Sequence, residues 1–282
     1  KKKNFKKRMC SPRKKRDMLD YTCYKSGDLL KMKDIWNKKH PKQKIKESSP
    51  KKIWKAFKNN LNAVCNNERC WLKHKCIKHG LDKDVITNTF APKQPKSWHN
   101  KPNEWLTSID INRFMKQHRK TYYTFTFLGP SPIDFDHKML YDECVWEELC
   151  KFNLERTLKR GKTNIGVIFN LDPHYKDGSH WVAVYIKARK KGIYYFDSYG
   201  ERIPPGIMKF VKMVQTQSKK LGTPYKFYQN KLRHQYSNSE CGMYCLYFIK
   251  HMLHTGDFKS ISKKKIPDKK MLKLRNIYFN KH

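Results

Sequence analysis

The 282-residue chain sets 63 Lys and Arg against 24 Asp and Glu, a formal net charge of +39, which excludes an acidic protein that keeps polyanions away. Its length suffices for one substantial core with an accessory region. No apolar run is long enough to cross a bilayer and no signal peptide is evident, so the chain reads as soluble and unsecreted.

Nine cysteines, an odd number without a regular framework, read as reduced thiols of a cytosolic protein. Residues 1–100 hold 29 basic and 8 acidic side chains, so the charge is densest at the N-terminus. Such a field draws nucleic acid by counterion release. The plainer reading is a lysine-rich genome drifting its surface codons toward Lys, and lysine does outnumber arginine.

Residues 1–16, with Lys1-Lys2-Lys3 and Arg13-Lys14-Lys15-Arg16, read as a basic tail. Leu29, Leu30, Met32, Ile35 and Trp36 recur at helical spacing, and a second helix is expected from Pro50 to Val64, capped by Ser48 or Ser49. Two short helices on a basic background read as a docking arm rather than a DNA-binding module. Cys65, Cys70, His74, Cys76 and His79 invite a zinc reading, but the spacing lacks the paired two-residue spacers of such sites, and a helix with small buried thiols fits better. Pro92, Pro95 and Pro102 mark a linker, which places a basic, mainly helical arm at 1–95 and a core at 96–282.

The core opens on Trp105-Leu106-Thr107-Ser108, with Ser108 as the cap of a helix through Phe114 and Met115. A strand around Tyr123, Phe125 and Phe127 ends at Gly129-Pro130. Tyr141 to Leu158 reads as one amphipathic helix with Cys144 and Cys150 on its packed face. Strands follow at Ile165–Leu171, Trp181–Lys187 and Ile193–Asp197, the first two so continuously apolar that both faces of their sheet must be covered. A helix from Ile207 to Val214, a strand at Tyr225–Gln229, a helix beginning at Cys241 and a last short helix around Met271–Ile277 complete the pattern.

Cys241 stands before a small residue at the start of a helical run. Unpaired N–H groups and the helix dipole favour a thiolate there. Gln235, six residues earlier, can turn its amide toward the same point and stabilise an oxyanion with the Cys241 N–H. His180 opens one strand and Asp197 closes its antiparallel neighbour, 17 residues on. A hairpin brings them together, with Asp197 accepting from His180 Nδ1 and Nε2 facing Cys241. Such an imidazole can take the thiol proton and return it to a leaving amine. His174, Asp172, His234 and Cys245 are rivals; His174 and His234 have no evident orienter in the sequence, and Cys245 lies one turn behind Cys241.

Ser179-His180-Trp181, Tyr195-Phe196-Asp197-Ser198, Gln235 and Glu240-Cys241-Gly242-Met243-Tyr244 together resemble the ubiquitin-like-protein-specific protease family of cysteine peptidases, which includes the adenovirus endopeptidase. The resemblance covers about residues 98–255. It implies an α+β fold with a papain-like or adenain-like core, a central mixed sheet flanked by helices. It also implies His180 as base, Asp197 as orienter, Cys241 as nucleophile, Gln235 as oxyanion donor, and Trp105 and Trp181 as walls of a channel for Gly-Gly or Ala-Gly tails. No cofactor or metal is implied for the chemistry, though DNA is a candidate polyanion activator, as for the adenovirus relative. Family deconjugases follow the Trp-Leu pair with Asn-Asp, where Thr107-Ser108 stand here. Phe127-Leu128-Gly129-Pro130, Pro132-Ile133-Asp134-Phe135 and Asn170-Leu171-Asp172 resemble thiol proteases of giant, mimivirus-like DNA viruses. The expectation is a viral endopeptidase acting on capsid or core precursor polyproteins in the virion and the viral factory of the host cytoplasm. A deconjugase of SUMO or another ubiquitin-like protein is the alternative, and a DNA-binding virion protein with an idle site is the reading from another class.

Overall fold

The structure, a computed structural model, describes residues 9–281 and divides into two units. Lys1-Lys2-Lys3 of the expected basic tail lie outside the described residues. The first unit comprises residues up to Gln94 together with 276–282, and the second runs from Pro95 to Arg275. The expected core of 96–282 therefore gives up its last seven residues. Asn280 explains why: its N–H donates to Pro92 O (2.7 Å), its carbonyl accepts from Gln94 N (2.8 Å) and its amide donates to Ala91 O (2.7 Å).

Among the described residues the first unit carries α1 (Ser26–Lys39), α2 (Pro50–Asn60), α3 (Glu68–Trp71), α4 (Lys75–Gly80) and α5 (Lys83–Asn88). Ser49 caps α2 by accepting from Lys52 N, with Pro50 at the first helical position, where its missing N–H removes no bond. Leu29, Met32, Trp36, Ile53, Phe57, Trp71 and Ile77 bury their side chains together. Within this core Glu68 is buried, and it accepts from Thr22 Oγ1, Cys23 N and Trp54 Nε1. A buried carboxylate is tolerable only when so supplied with donors.

Cysteine chemistry departs from the reduced-thiol expectation. Cys10 is bonded to Cys23, Cys65 to Cys70 and Cys144 to Cys150, leaving Cys76, Cys241 and Cys245 free. The bonded pairs lie 5 to 13 residues apart, close enough for local turns to join them, which a count of cysteines does not reveal. With Cys65 and Cys70 so engaged, the zinc reading loses two of its ligands. No group of three or more His, Cys, Asp or Glu among the described residues is arranged to hold a metal.

In the second unit α6 (Ser108–Thr121) starts from a capping box formed by Thr107 and Asp110. The cap is thus one residue before the expected Ser108, because Asp110, three residues past Thr107, returns the bond to the Thr107 N–H. Strands β1 (Phe125–Phe127) and β2 (Ser131–Pro132) both pair parallel with β3 (Asn164–Asn170). The segment read as one helix from Tyr141 to Leu158 is broken into α7 (Glu147–Cys150) and α8 (Leu154–Lys159). Tyr141 and Asp142 adopt positive φ, and Asn153 starts a new helix by accepting from Arg156 N. The apolar spacing is helical only by coincidence; Trp146 turns inward to donate to Leu128 O (2.8 Å).

Strand β4 (Trp181–Lys187) runs antiparallel to β3 and to β5 (Gly192–Phe196), and β6 (Lys226–Gln229) adds parallel to β5. The sheet order is β1-β3-β4-β5-β6. Val167, Phe169, Val182, Val184 and Tyr195 face α9 (Pro205–Lys220), which contributes Ile207, Phe210, Val211 and Val214. Alternate residues face α10 (Cys241–His254): Phe196 stacks on Phe248 at 4.9 Å, and Gly166 admits Ile249 where a Cβ would come within 3.3 Å of it. Both faces are covered, which accounts for the unbroken apolar runs. Helices α11 (Phe258–Lys263) and α12 (Asp268–Tyr278) follow. No helix among the described residues is long and apolar enough to cross a membrane.

Phe210 packs against Phe135, Phe152 and Phe169 with ring centroids 5.4 to 6.2 Å away. Truncation to Phe210→Ala is expected to lower unfolding free energy by about 3–5 kcal/mol, read from the urea midpoint at unchanged m-value.

Candidate active site

The three strands at the centre of the sheet place one end of β4 beside one end of β5. His180 immediately precedes β4 and Asp197 immediately follows β5. The approach to His180 is fixed by Asn170, whose Oδ1 accepts from Asp172 N (3.0 Å) and Ser179 N (3.3 Å). Gly178 lies against that amide at φ +98°, and a Cβ there would sit 2.1 Å from Asn170 Nδ2. Only glycine meets both conditions.

His180 Nε2 bonds Asp197 Oδ1 at 2.6 Å. The hairpin expected from the sequence predicts Nδ1 at this contact. The ring is instead turned so that Nε2 meets the carboxylate and Nδ1 is left for Cys241, whose sulfur hydrogen-bonds to His180. A spacing of 17 is compatible with either rotation of the ring. Asp197 is itself fully engaged: Oδ1 also accepts from Tyr199 N (3.0 Å) and Oδ2 from Glu201 N (3.2 Å). Its main chain is locked by buried Asn230, which accepts from Asp197 N (2.9 Å) and donates to Asp197 O (2.7 Å).

Burial pulls the His180 pKa down, but hydrogen bonds to Asp197 and Cys241 and the charges of both outweigh it and push it up to about 9. At neutral pH the ring is therefore an imidazolium. Cys241 is buried at the first position of α10, and Glu240 before it makes no side-chain cap. The first-turn N–H groups thus remain open to an anion. Gly242 lets the helix start press on Leu106, since a Cβ would approach Leu106 Cβ to 2.9 Å.

Gln235 is buried, and Ser198 sets its orientation. Ser198 Oγ donates to Gln235 Oε1 (2.7 Å), and Ser198 O accepts from His234 N and Gln235 N. One N–H of the Gln235 amide donates to Ser237 O, which leaves one more for an oxyanion. Consecutive residues Asp197 and Ser198 thereby orient the imidazole and the amide.

The loop from His234 to Glu240 is held from α12. Asp268 Oδ2 accepts from Tyr236 N and Ser237 N, both at 3.0 Å. Arg275 grips the buried Glu240 carboxylate through Nε at 3.0 and 2.9 Å. Sequence reasoning missed Asn230, Asp268 and Arg275, and it quoted Asn170 and Ser198 within motifs without seeing their orienting roles. Their only signal was polar residues at the ends of apolar segments.

The tryptophans differ. Trp181 is 7% exposed and its indole donates to Leu106 O (2.9 Å), whereas Trp105 is 40% exposed. Among the rivals, His174 has a carboxylate partner after all, bonding Asp134 through Nδ1 at 2.7 Å. Asp172 serves its loop, its carbonyl accepting from Ile133 N. His234 is buried, its Nδ1 accepts from Ile266 N, and burial with Lys265 nearby lowers its pKa to about 4, so it stays neutral. Cys245 is buried, and burial with the Cys241 and Asp197 charges raises its thiol pKa. An imidazolium, a sulfur at a helix N-terminus and two amide donors constitute the parts needed for acyl transfer.

Residues 162–282 match the Ulp1 protease family, C-terminal catalytic domain. A protein of Acanthamoeba polyphaga mimivirus, provisionally named a thiol protease, is 28% identical over 291 residues, covering 96% of this chain and 93% of its own. A protein of African swine fever virus named as a SUMO-1 cysteine protease is 27% identical over 232 residues, covering 76% of this chain and 83% of its own. The crystal structure of the African swine fever virus protease superposes with a TM-score of 0.65 at 24% identity, over 84% of this chain and 93% of that one, and shares the fold.

Replacing Asp197 by Asn removes the charge that favours the imidazolium. In an NMR titration the His180 pKa of Asp197→Asn is expected to fall from about 9 toward the ordinary 6.5 or below.

Proposed function

We propose that this chain, whose residues 162–282 match the Ulp1 protease family, is a viral cysteine endopeptidase cleaving capsid or core precursor polyproteins after small residues, in Gly-Gly-x or Ala-Gly-x sequences. The observation that carries this reading is the His180 imidazole bridging Asp197 and Cys241 at an uncapped helix N-terminus.

In this reading the Cys241 thiolate attacks the scissile carbonyl carbon. Charge moves to the carbonyl oxygen, which the Cys241 N–H and the remaining Gln235 N–H stabilise. The His180 imidazolium gives its proton to the departing amine as the C–N bond breaks, leaving a thioester. Water then loses a proton to His180 as its oxygen attacks the thioester, and the acid product leaves with the thiolate restored. Asp197 holds the ring in orientation throughout. Trp181, tied to Leu106, and Trp105 beside it narrow the approach, so residues without side chains pass most easily.

A specific observation favours a second reading. The African swine fever virus relative is named as a SUMO-1 cysteine protease, which supports removal of a ubiquitin-like protein by the same chemistry. The net charge of +39 supports DNA as a polyanion activator that gathers enzyme and precursor in the viral factory and virion.

The deciding assay offers a Gly-Gly-x peptide and a SUMO C-terminal fusion to wild type and to Cys241→Ala. Peptide turnover that vanishes in the mutant while the fusion stays intact is expected; preference for the fusion selects the deconjugase. Turnover retained by Cys241→Ala overturns both. A second outcome follows from the raised His180 pKa: kcat/KM is expected to fall as pH rises through about 9, because the proton destined for the leaving amine is lost above that pH. A rate still rising at pH 10 excludes His180 from that role.

A further inference from the structure

The outward side of His180 carries a second arrangement that the reaction scheme does not use. Tyr199 stacks on the imidazole with centroids 4.7 Å apart and planes at 20°. The Arg233 guanidinium lies over the Tyr199 ring at 5.0 Å and over the Tyr236 ring at 4.9 Å, and the Lys265 ammonium lies over Tyr236 at 3.9 Å. Imidazole, phenol, guanidinium and phenol thus form one stack that runs from the reacting ring to the surface, where Tyr236 is 59% exposed.

Arg233 is exposed, and its Nε donates to Gln235 O (2.9 Å). Among the described residues neither of its Nη groups has a hydrogen-bond partner and it forms no ion pair. Stacking between two rings holds the guanidinium plane in one orientation while its donor edge stays open. Most of the rotamer entropy that a free arginine loses on binding is lost already. A planar, outward-facing fork of N–H donors matches one ligand geometry best, the two oxygens of a carboxylate.

We propose that Arg233, held by Tyr199 and Tyr236, is a specificity site for an acidic side chain of the polypeptide substrate, an inference that rests on the peptidase reading above. Its place in the stack limits where that side chain falls. Two stacking steps of 4.7 and 5.0 Å separate Arg233 from the imidazole, and an extended peptide advances about 3.3 Å per residue. The acidic residue therefore lies within about three residues of the scissile bond. The overall charge of +39 attracts acidic peptides too, but without regard to position; the Arg233 site makes the preference positional.

The test uses the full chain and a set of Gly-Gly-x peptides with one Glu or one Gln scanned over four positions on each side of the cleavage point. Kd is measured with Cys241→Ala and kcat/KM with the active enzyme. A Glu-over-Gln preference of about tenfold at one position, as for an exposed charge-assisted bidentate bond, is expected in both readings. Arg233→Ala and Arg233→Gln, each in both backgrounds, are expected to reduce that ratio to about one, and Arg233→Glu to favour Lys at the same position. Because each variant is compared with itself on two peptides, a general loss of activity leaves the ratio readable. The reversal in Arg233→Glu cannot arise from misfolding. A preference equal at all positions, or unchanged in Arg233→Ala and Arg233→Gln, overturns the proposal. Should wild type cleave none of the peptides while Cys241→Ala still binds one Glu position selectively through Arg233, the endopeptidase reading of short Gly-Gly-x sequences fails and the carboxylate site stands.

Discussion

Everything in the second unit serves one charged contact, an imidazole wedged between a carboxylate and a sulfur inside the protein. Burial alone would strip His180 of its proton. The ring keeps it because Asp197 and Cys241 approach from two sides, and that geometry needs three elements to end at one point. β4 supplies the ring, β5 the carboxylate, and α10 the sulfur. An unpaired charge at such a depth is costly, so the arrangement works only if each member is fixed before the others arrive. Asn230 fixes Asp197, Asn170 and Gly178 fix the chain into His180, and Leu106 against Gly242 fixes the start of α10.

Four of the supporting polar contacts near the centre come from residues distant in the chain. Asp197 is held by residue 230, Gln235 by 198, Glu240 by 275, and the loop between them by 268. A low-dielectric interior makes such networks rigid when complete and destabilising when partial. The Glu240 and Arg275 pair shows this most plainly, since both side chains are almost wholly removed from solvent. Its value lies in placing Ser239 and Glu240, and thereby Cys241, at a defined point.

Much of this was legible in the sequence, for a physical reason. Strands covered on both faces read as apolar runs, so β3, β4 and β5 stood out, and His180 and Asp197 were conspicuous as polar residues at their ends. Cys241 was legible because helix periodicity begins there. Other features depend on partners far away in sequence, and no local pattern contains them. Whether Nδ1 or Nε2 meets Asp197 cannot be read from a spacing of 17. The break of the expected helix at Asn153 needed knowledge that Trp146 turns toward Leu128 O. Thr107 took the cap from Ser108 because Asp110 is placed to reciprocate. Cys144 and Cys150 looked like core thiols because their spacing also suits a helix face, and local turns joined them instead.

The bonds made by Asn280 bear on when the protein can finish folding. Ala91, Pro92 and Gln94 emerge from the ribosome well before Asn280, yet their hydrogen-bonding partners are on it. Domains generally fold as units while synthesis proceeds at roughly 5–20 residues per second, so the intervening stretch of chain delays closure of the first unit by on the order of ten seconds or more. The second unit, which ends at Arg275, has all its residues a few codons before the first is complete. The first unit, begun earliest, is not sealed until Asn280 has been made.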